Sequence, residues 1–362
     1  MGKKRIAVLT LRVDNNYGGN LQRYALVRVL QELGFDSTVL YFRSEWIHDP
    51  VSKKFKRFVK SFLKLLLGQS SDPLFYWKHE DNRWEETRSF TYPFFCNYVK
   101  HSPLIFSESS LRKHVRNRNY YGFIVGSDQV WRKAYTQRWG VEHFFLDFAP
   151  KGAKKIAYAA SFGLNDMEYD ERELERLREL YKRLDAVSVR EDSGLEVLTK
   201  HGWNKPHAVI ALDPTMLLAK EHYMKLIKQG LTKPSKGDLF CYILDDDTES
   251  ARVISSIEKE KNYTSFYVSI IGKDRVSVEQ WLRSFVDARC VVTDSYHGLV
   301  FSLVFNKPFY LIYNAKRGNA RFESLLGLFD LSTNGLDVDW EFVNKRMEKL
   351  RKESINFLID NL

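Results

Sequence analysis

The chain has 362 residues, a formal net charge of +10 and a hydrophobic fraction of 44%. That length suits two cores, and the balance of apolar and charged residues is that of an ordinary globular protein, not of a disordered or fibrous one. The positive charge favours anionic partners, but Lys and Arg are dispersed and no nucleic-acid-binding signature is present, so nucleic acid is not an expected partner.

The N-terminal run MGKKRIAVLTLRV passes from charge directly into a strand-like segment, without the apolar stretch and cleavage site of a signal peptide. No apolar run approaches the roughly 20 residues of a membrane span. Cys96, Cys241 and Cys290 lie far apart and form no CxxC pair. A reducing cytoplasm is the expected compartment.

In chain order, Arg5–Leu11 predicts a buried first strand, followed by the loop VDNNYGGN and a helix from Leu21 to Leu33. Strands are predicted at 38–42, 122–125, 155–160 and 186–189, with a charged helix at 169–184. HGWNKPHAVIALDP, around 200–214, reads as a crossover between lobes. A second series follows, with strands at 239–244, 265–270, 290–293 and 309–313. Helices are predicted at 248–260, 277–287, 297–305 and 319–328. A long amphipathic helix covers 340–362. Strands alternating with helices imply parallel sheets covered on both faces. The expected fold is α/β, with two Rossmann-like lobes facing a cleft: residues 1–205, then 206–338, with 339–362 packing back across both. Ligands of such sheets bind outside the carboxyl ends of the strands, so the loops there are the candidate sites.

The first such loop holds Asn16, Tyr17, Gly18, Gly19, Asn20 and Gln22. Adjacent glycines admit a ligand to the backbone, and the Asn and Gln side chains suit sugar hydroxyls. A tight turn with an Asn cap explains the same residues. The second loop carries Asp128 and Gln129 before Trp131. Asp128 is placed to orient an acceptor hydroxyl, or to make an Asx turn. The third puts Arg190 at a strand end, where its planar fork suits a carboxylate or phosphate, or a surface pair with Glu191 or Asp192. The fourth is VVTDSYHGL. There Asp294, Ser295, His297 and Gly298 open a helix, and the helix end lowers the imidazole pKa toward a value useful for proton exchange. Asp294 is expected to fix the tautomer, and Gly298 to open backbone N–H groups to an anion. The fifth, Lys316 and Arg317 with Arg321 beyond, offers cations or a solvated basic loop. No metal-ligand spacing is present, although Asp245-Asp246-Asp247 follows a strand.

Lys53–Leu67 (KKFKRFVKSFLKLLL) contains six basic residues and no acid. Phe55, Phe58, Val59, Phe62, Leu65 and Leu66 recur near helical spacing. The pattern fits a helix lying on an anionic bilayer, or one packed on its own lobe.

NYGGNLQRYAL, GSDQVW, AYAASFG, SVREDSG, LDPT and VVTDSYHGL occur in this order across most of the chain. Together they resemble the polysaccharide pyruvyl transferase family. The resemblance implies a GT-B-like fold, phosphoenolpyruvate as donor, and a pair of sugar hydroxyls as acceptor, joined as a pyruvate ketal on a cell-surface polysaccharide or its lipid-linked precursor. It implies no cofactor beyond that co-substrate. Arg190 and Lys316 match the positions for the donor's anionic groups, and His297 the position for the acid. Competing readings are a nucleotide-sugar glycosyltransferase and a non-catalytic, membrane-associated scaffold.

Overall fold

The computed structural model describes residues 2–42, 51–67, 76–245, 248–313 and 319–362, with the backbone alone for 51–54, 57 and 76–81. The first lobe runs β1 (Arg5–Leu9), α1 (Tyr17–Glu32), β2 (Asp36–Val39), α2 (Val51–Leu66), α3 (Tyr76–Arg88), α4 (Tyr92–Tyr98), α5 (Glu108–Arg118), β3 (Gly122–Asp128), α6 (Lys133–Thr136), β4 (Lys154–Ala160), α7 (Glu171–Tyr181), β5 (Ala186–Val189), α8 (Asp192–Lys200) and β6 (Ala208–Ile210). The second runs α9 (Lys220–Gln229), β7 (Leu239–Tyr242), α10 (Thr248–Lys261), β8 (Ser265–Tyr267), α11 (Val278–Asp287), β9 (Cys290–Thr293), α12 (Tyr296–Val304), β10 (Phe309–Leu311), α13 (Ala320–Leu328) and β11 (Asn334–Gly335). Helix α14 (Trp340–Asn361) closes the chain.

The first sheet has the order β2-β1-β3-β4-β5-β6 and is parallel throughout. The second has the order β11-β10-β9-β7-β8, with only the β10–β11 pair antiparallel. The central strands read as uninterrupted apolar runs because helices cover both faces. This is the expected α/β, GT-B-like architecture of two Rossmann-like lobes.

The boundary lies later than 205/206. Ala208–Ile210, read as crossover, pairs with β5 as the sixth strand of the first sheet. Only three residues long, it gives too short a periodicity to announce a strand. Helix α14 touches both lobes. Tyr121 donates to the Leu362 carbonyl, Ser354 accepts the Leu212 N–H, and Arg346 donates to the Leu328 carbonyl.

The VDNNYGGN segment is not all loop: α1 begins at Tyr17. The Asn16 side chain caps it by accepting the Gly19 N–H at 2.9 Å, satisfying one of the free donors of the first turn. Tyr17 then lies buried, stacked on Trp281 of the other lobe, with its hydroxyl bonded to Val276. The Asn15 side chain donates to the Ile270 carbonyl at 2.7 Å. These contacts tie the lobes together at the base of the cleft.

Candidate active site

Between the lobes, at the C-terminal ends of β1, β3, β7 and β9, lies a cleft of about 540 Å³. Leu11, Arg12, Asp14–Asn16, Asp128, Gln129, Leu244, Asp294–His297 and Arg321 border it, together with Tyr135 and Trp139 from the segment after β3. A more open depression of about 640 Å³ beside Glu108 and Arg176 has its charges paired off, Arg112 with Glu108 and Asp147 and Arg176 with Glu142.

His297 stands in the first turn of α12, which Ser295 caps by accepting the Gly298 N–H. The side chain is almost fully buried yet borders the cleft. Its Nε2 is sealed from solvent and has no hydrogen-bond partner, but lies 3.8 Å from Asp213 Oδ2. The imidazole pKa is lowered, as expected. The main cause is burial, opposed by Asp213 and Asp128 and reinforced by Arg190 and Arg321. Gly18 of α1 makes room for the ring: a Cβ there would sit 2.1 Å from His297 Cγ and Nδ1.

Asp213, in the LDPT segment just after β6, organises this cluster. Its Oδ1 accepts from the Thr215 hydroxyl at 2.7 Å and the Thr215 N–H at 3.1 Å. Its Oδ2 accepts from the Gln22 amide and from Arg190 at 3.0 Å. Arg190 also donates to Asp128 Oδ1 at 3.0 Å and pairs with Glu191 at 3.3 Å. Burial alone would weaken its charge, but Asp128 and the other two carboxylates hold the guanidinium firmly protonated. Asp128 has φ +66°, the left-handed region that a short polar side chain tolerates. Burial would raise its carboxyl pKa, yet Arg190, His297 and Arg321 keep it below the usual range. Glu191 moves the other way, raised chiefly by burial.

Several sequence expectations are corrected here. Arg190 is not a surface pair: its side chain is fully buried and turned onto three protein carboxylates. Asp294, the expected tautomer partner, accepts from the backbone N–H groups of Leu244 and Asp245, fixing the end of β7. The carboxylate facing His297 is Asp213. The Gly298 N–H is used by the Ser295 cap, and the missing Cβ lets α12 sit against Thr293 Oγ1, which an added Cβ would meet at 2.1 Å. Tyr17 is buried against Trp281. Asn20 is buried and donates to the Asp14 and Asn16 carbonyls, and Gln22 serves Asp213. Asn16, Asp128, Gln129, Asp294, Ser295 and His297 do border the cleft. Lys316 and Arg317 lie outside the described residues.

The structure adds groups that were not singled out. Arg12, Arg138 and Tyr296 border the cleft. Arg190 and Arg321 lie 4.6 and 5.7 Å from the Tyr296 ring centre, within cation–π range. Arg23, buried in α1, donates to Thr10 Oγ1 and to the carbonyls of Leu11 and Arg12, holding the loop that forms one wall; burial pulls its pKa down to about 10. The available signal was a charged residue on the apolar face of α1, one turn after Gly19.

This arrangement can hold a small anion among arginines and exchange a proton through a buried imidazole. The family model described as polysaccharide pyruvyl transferase matches residues 16–316. The chain belongs to the polysaccharide pyruvyl transferase family. No curated protein sequence matches significantly. Among solved structures, the chain is similar to UDP-N-acetylglucosamine 2-epimerase from Neisseria meningitidis bound to UDP-GlcNAc, at 9% identity over 99% of this chain and 100% of that one, with a TM-score of 0.49. It is also similar to a putative UDP-N-acetylglucosamine 2-epimerase from Listeria monocytogenes, at 11% identity over 99% and 90%, with a TM-score of 0.47. An alpha-glucosyltransferase in complex with UDP and DNA gives 10% identity over 99% and 96%, with a TM-score of 0.44. At such scores these likenesses carry no argument about chemistry.

Proposed function

We propose that this member of the pyruvyl transferase family moves the pyruvyl group of phosphoenolpyruvate onto two hydroxyls of a sugar in a surface polysaccharide or its lipid-linked precursor. The supporting observation is His297: a buried imidazole bordering an inter-lobe cleft that also carries Arg12, Arg138 and Arg321. The donor brings a carboxylate and a phosphate, which those cations suit, with Lys316 and Arg317 retained as further donor ligands. Asn16, Asp128 and Gln129 on the first lobe are the acceptor side. Phosphoenolpyruvate is a co-substrate, and the chemistry calls for no cofactor. The site of action is the cytoplasm, at the inner face of the membrane.

In the empty cleft burial favours the neutral imidazole. An anionic donor beside His297 raises its pKa and loads the proton it must give. The protonated ring donates to the methylene carbon of the donor, converting CH2 to CH3 and leaving positive charge at C2. The first sugar hydroxyl attacks C2 and gives up its proton, which returns to the imidazole. The second hydroxyl then displaces phosphate and its proton leaves with that group, closing the ketal. One proton transfer of this kind supplies roughly 100- to 10,000-fold of the rate. Holding donor and acceptor together in the cleft between the lobes removes much of the entropic cost of bringing them together.

The test is incubation with phosphoenolpyruvate and candidate glycans, reading phosphate release and the mass gain of one pyruvate ketal. Thermal stabilisation by phosphoenolpyruvate is expected. Stabilisation by a uridine or guanosine diphosphate sugar, with none by phosphoenolpyruvate, would overturn the reading in favour of glycosyl transfer.

A further inference from the structure

We infer that α2 is a membrane-docking helix that lays its apolar stripe into an anionic phospholipid surface. The helix spans Val51–Leu66, roughly 24 Å at 1.5 Å per residue. Phe55, Val59, Phe62 and Leu66 fall at i, i+4, i+7 and i+11, which is one stripe of a helix. On a helix packed into its own domain such a stripe is the least exposed part. Here it is among the most exposed: Phe55 at 65%, Leu66 at 67%, Phe62 at 42% and Val59 at 37%. Leu63, Leu65 and Leu67 widen the exposed apolar surface at the C-terminal end. Ser61 and Lys64, on the opposite side of the helix, are only half exposed. The stripe of Phe55, Val59, Phe62 and Leu66 is therefore turned outward.

Charge selects the occupant. Lys53–Leu67 carries six basic residues and no acidic one. Lys56 and Lys60 are exposed in one row along the flank of the helix, while Lys64 is half exposed on the side opposite the stripe. An apolar stripe flanked by lysines is the pattern that enters the boundary between headgroups and acyl chains and meets negative lipid charge alongside. A second copy of α2 is the poorer occupant, because its face would bring lysine rows toward each other. The described helices include none long and apolar enough to cross a membrane, so contact would be peripheral.

The position in the fold fits a substrate that stays in the bilayer. The segment that carries α2 leads on to α3, which is held to both lobes: Trp84 donates to the Val13 carbonyl at 3.0 Å, and Arg275 of the second lobe donates to the Glu86 carbonyl at 3.0 Å. A membrane-anchored acceptor would suit an enzyme held at the bilayer by α2. That last point rests on the proposed glycan acceptor; binding of α2 to lipid does not.

The experiment is sedimentation of the full chain with vesicles of phosphatidylglycerol and phosphatidylcholine, compared with vesicles of phosphatidylcholine alone. Two variants are run beside it: Phe55→Ser/Phe62→Ser/Leu66→Ser and Lys56→Glu/Lys60→Glu. The expected result is binding to the anionic vesicles that weakens with salt. The charge-reversed variant should bind at least roughly twentyfold more weakly, from about a fivefold loss per lysine removed. The serine variant should lose insertion, read as loss of binding at high lipid. Both should keep the wild-type circular dichroism and melting temperature, since the altered side chains face away from the core. Equal sedimentation with neutral and anionic vesicles, or unchanged binding by either variant, overturns the inference. So does a concentration-dependent dimer that the serine variant abolishes while the wild type ignores vesicles. Lipid binding is read without phosphoenolpyruvate, so failure of pyruvyl transfer would leave the result standing.

Discussion

Helices α1 and α12 both start at the C-terminal end of a parallel strand, both are capped by a polar side chain, and both carry glycine in the first turn. Their polar residues serve different ends. In α1, Asn16, Asn20, Gln22 and Arg23 are spent on backbone carbonyls, on the cap and on Asp213. In α12 the first turn brings one titratable ring, His297, to the cleft. The two turns meet, since Gly18 of α1 is the surface on which the His297 ring rests. A polar-rich helix start can thus be the mount for a neighbouring site. On this view α1 fixes where the ring is, and α12 supplies the ring.

The sharpest way to separate the two roles is His297→Ala. Phosphate release should fall by roughly a thousandfold, within the range for a lost general acid, while phosphoenolpyruvate still binds in calorimetry. Near wild-type turnover would remove His297 from the proposed chemistry. Arg190→Ala comes next. It strands Asp128, Glu191 and Asp213 without their shared cation, and breaking a buried pair costs about 3–5 kcal/mol. Denaturant unfolding should register most of that. Unchanged stability with a weakened donor affinity would instead restore Arg190 as a direct clamp.

Two glycines one residue apart test the mount. Gly18→Ala puts a methyl 2.1 Å from the His297 ring, while Gly19→Ala meets Asn16 at 3.4 Å, an ordinary contact. Displacing a reacting group by about 1 Å costs on the order of a hundredfold, so Gly18→Ala should lose kcat on that scale and Gly19→Ala should stay close to wild type. Equal effects from both would mean that the packing of α1 on His297 is unimportant.

The smallest expected effect is a shift of pH. Asp213 raises the His297 pKa against the lowering by burial. Asp213→Asn removes that charge and lowers the imidazole further. If the protonated ring is the acid, activity is lost as pH rises through its pKa, so the alkaline limb of kcat/KM should move to lower pH. A limb that stays put would dissociate Asp213 from the titration, leaving it a purely structural partner of Arg190 and Gln22.

The parallel strands were legible because a run buried on both faces is apolar throughout; 186–189 and 290–293 were predicted with the observed bounds. Their C-terminal ends then located the cleft, and the order of short motifs, with SVREDSG and LDPT before VVTDSYHGL, carried the family. Local sequence also determined the caps, since Asn16 and Ser295 act within three residues of themselves. What tertiary structure alone decided was which polar groups spend their hydrogen bonds inside the protein. Arg190 and Asp128 are 62 residues apart, and Gln22 and Asp213 are 191 apart. No periodicity encodes such pairings. A strand-end arginine is a ligand clamp or a buried cation according to which carboxylates the sheet order brings beside it. The outward turn of the α2 stripe is of the same kind: the spacing of Phe55, Val59, Phe62 and Leu66 defines a face, and only the packing of the rest of the lobe determines whether that face is covered.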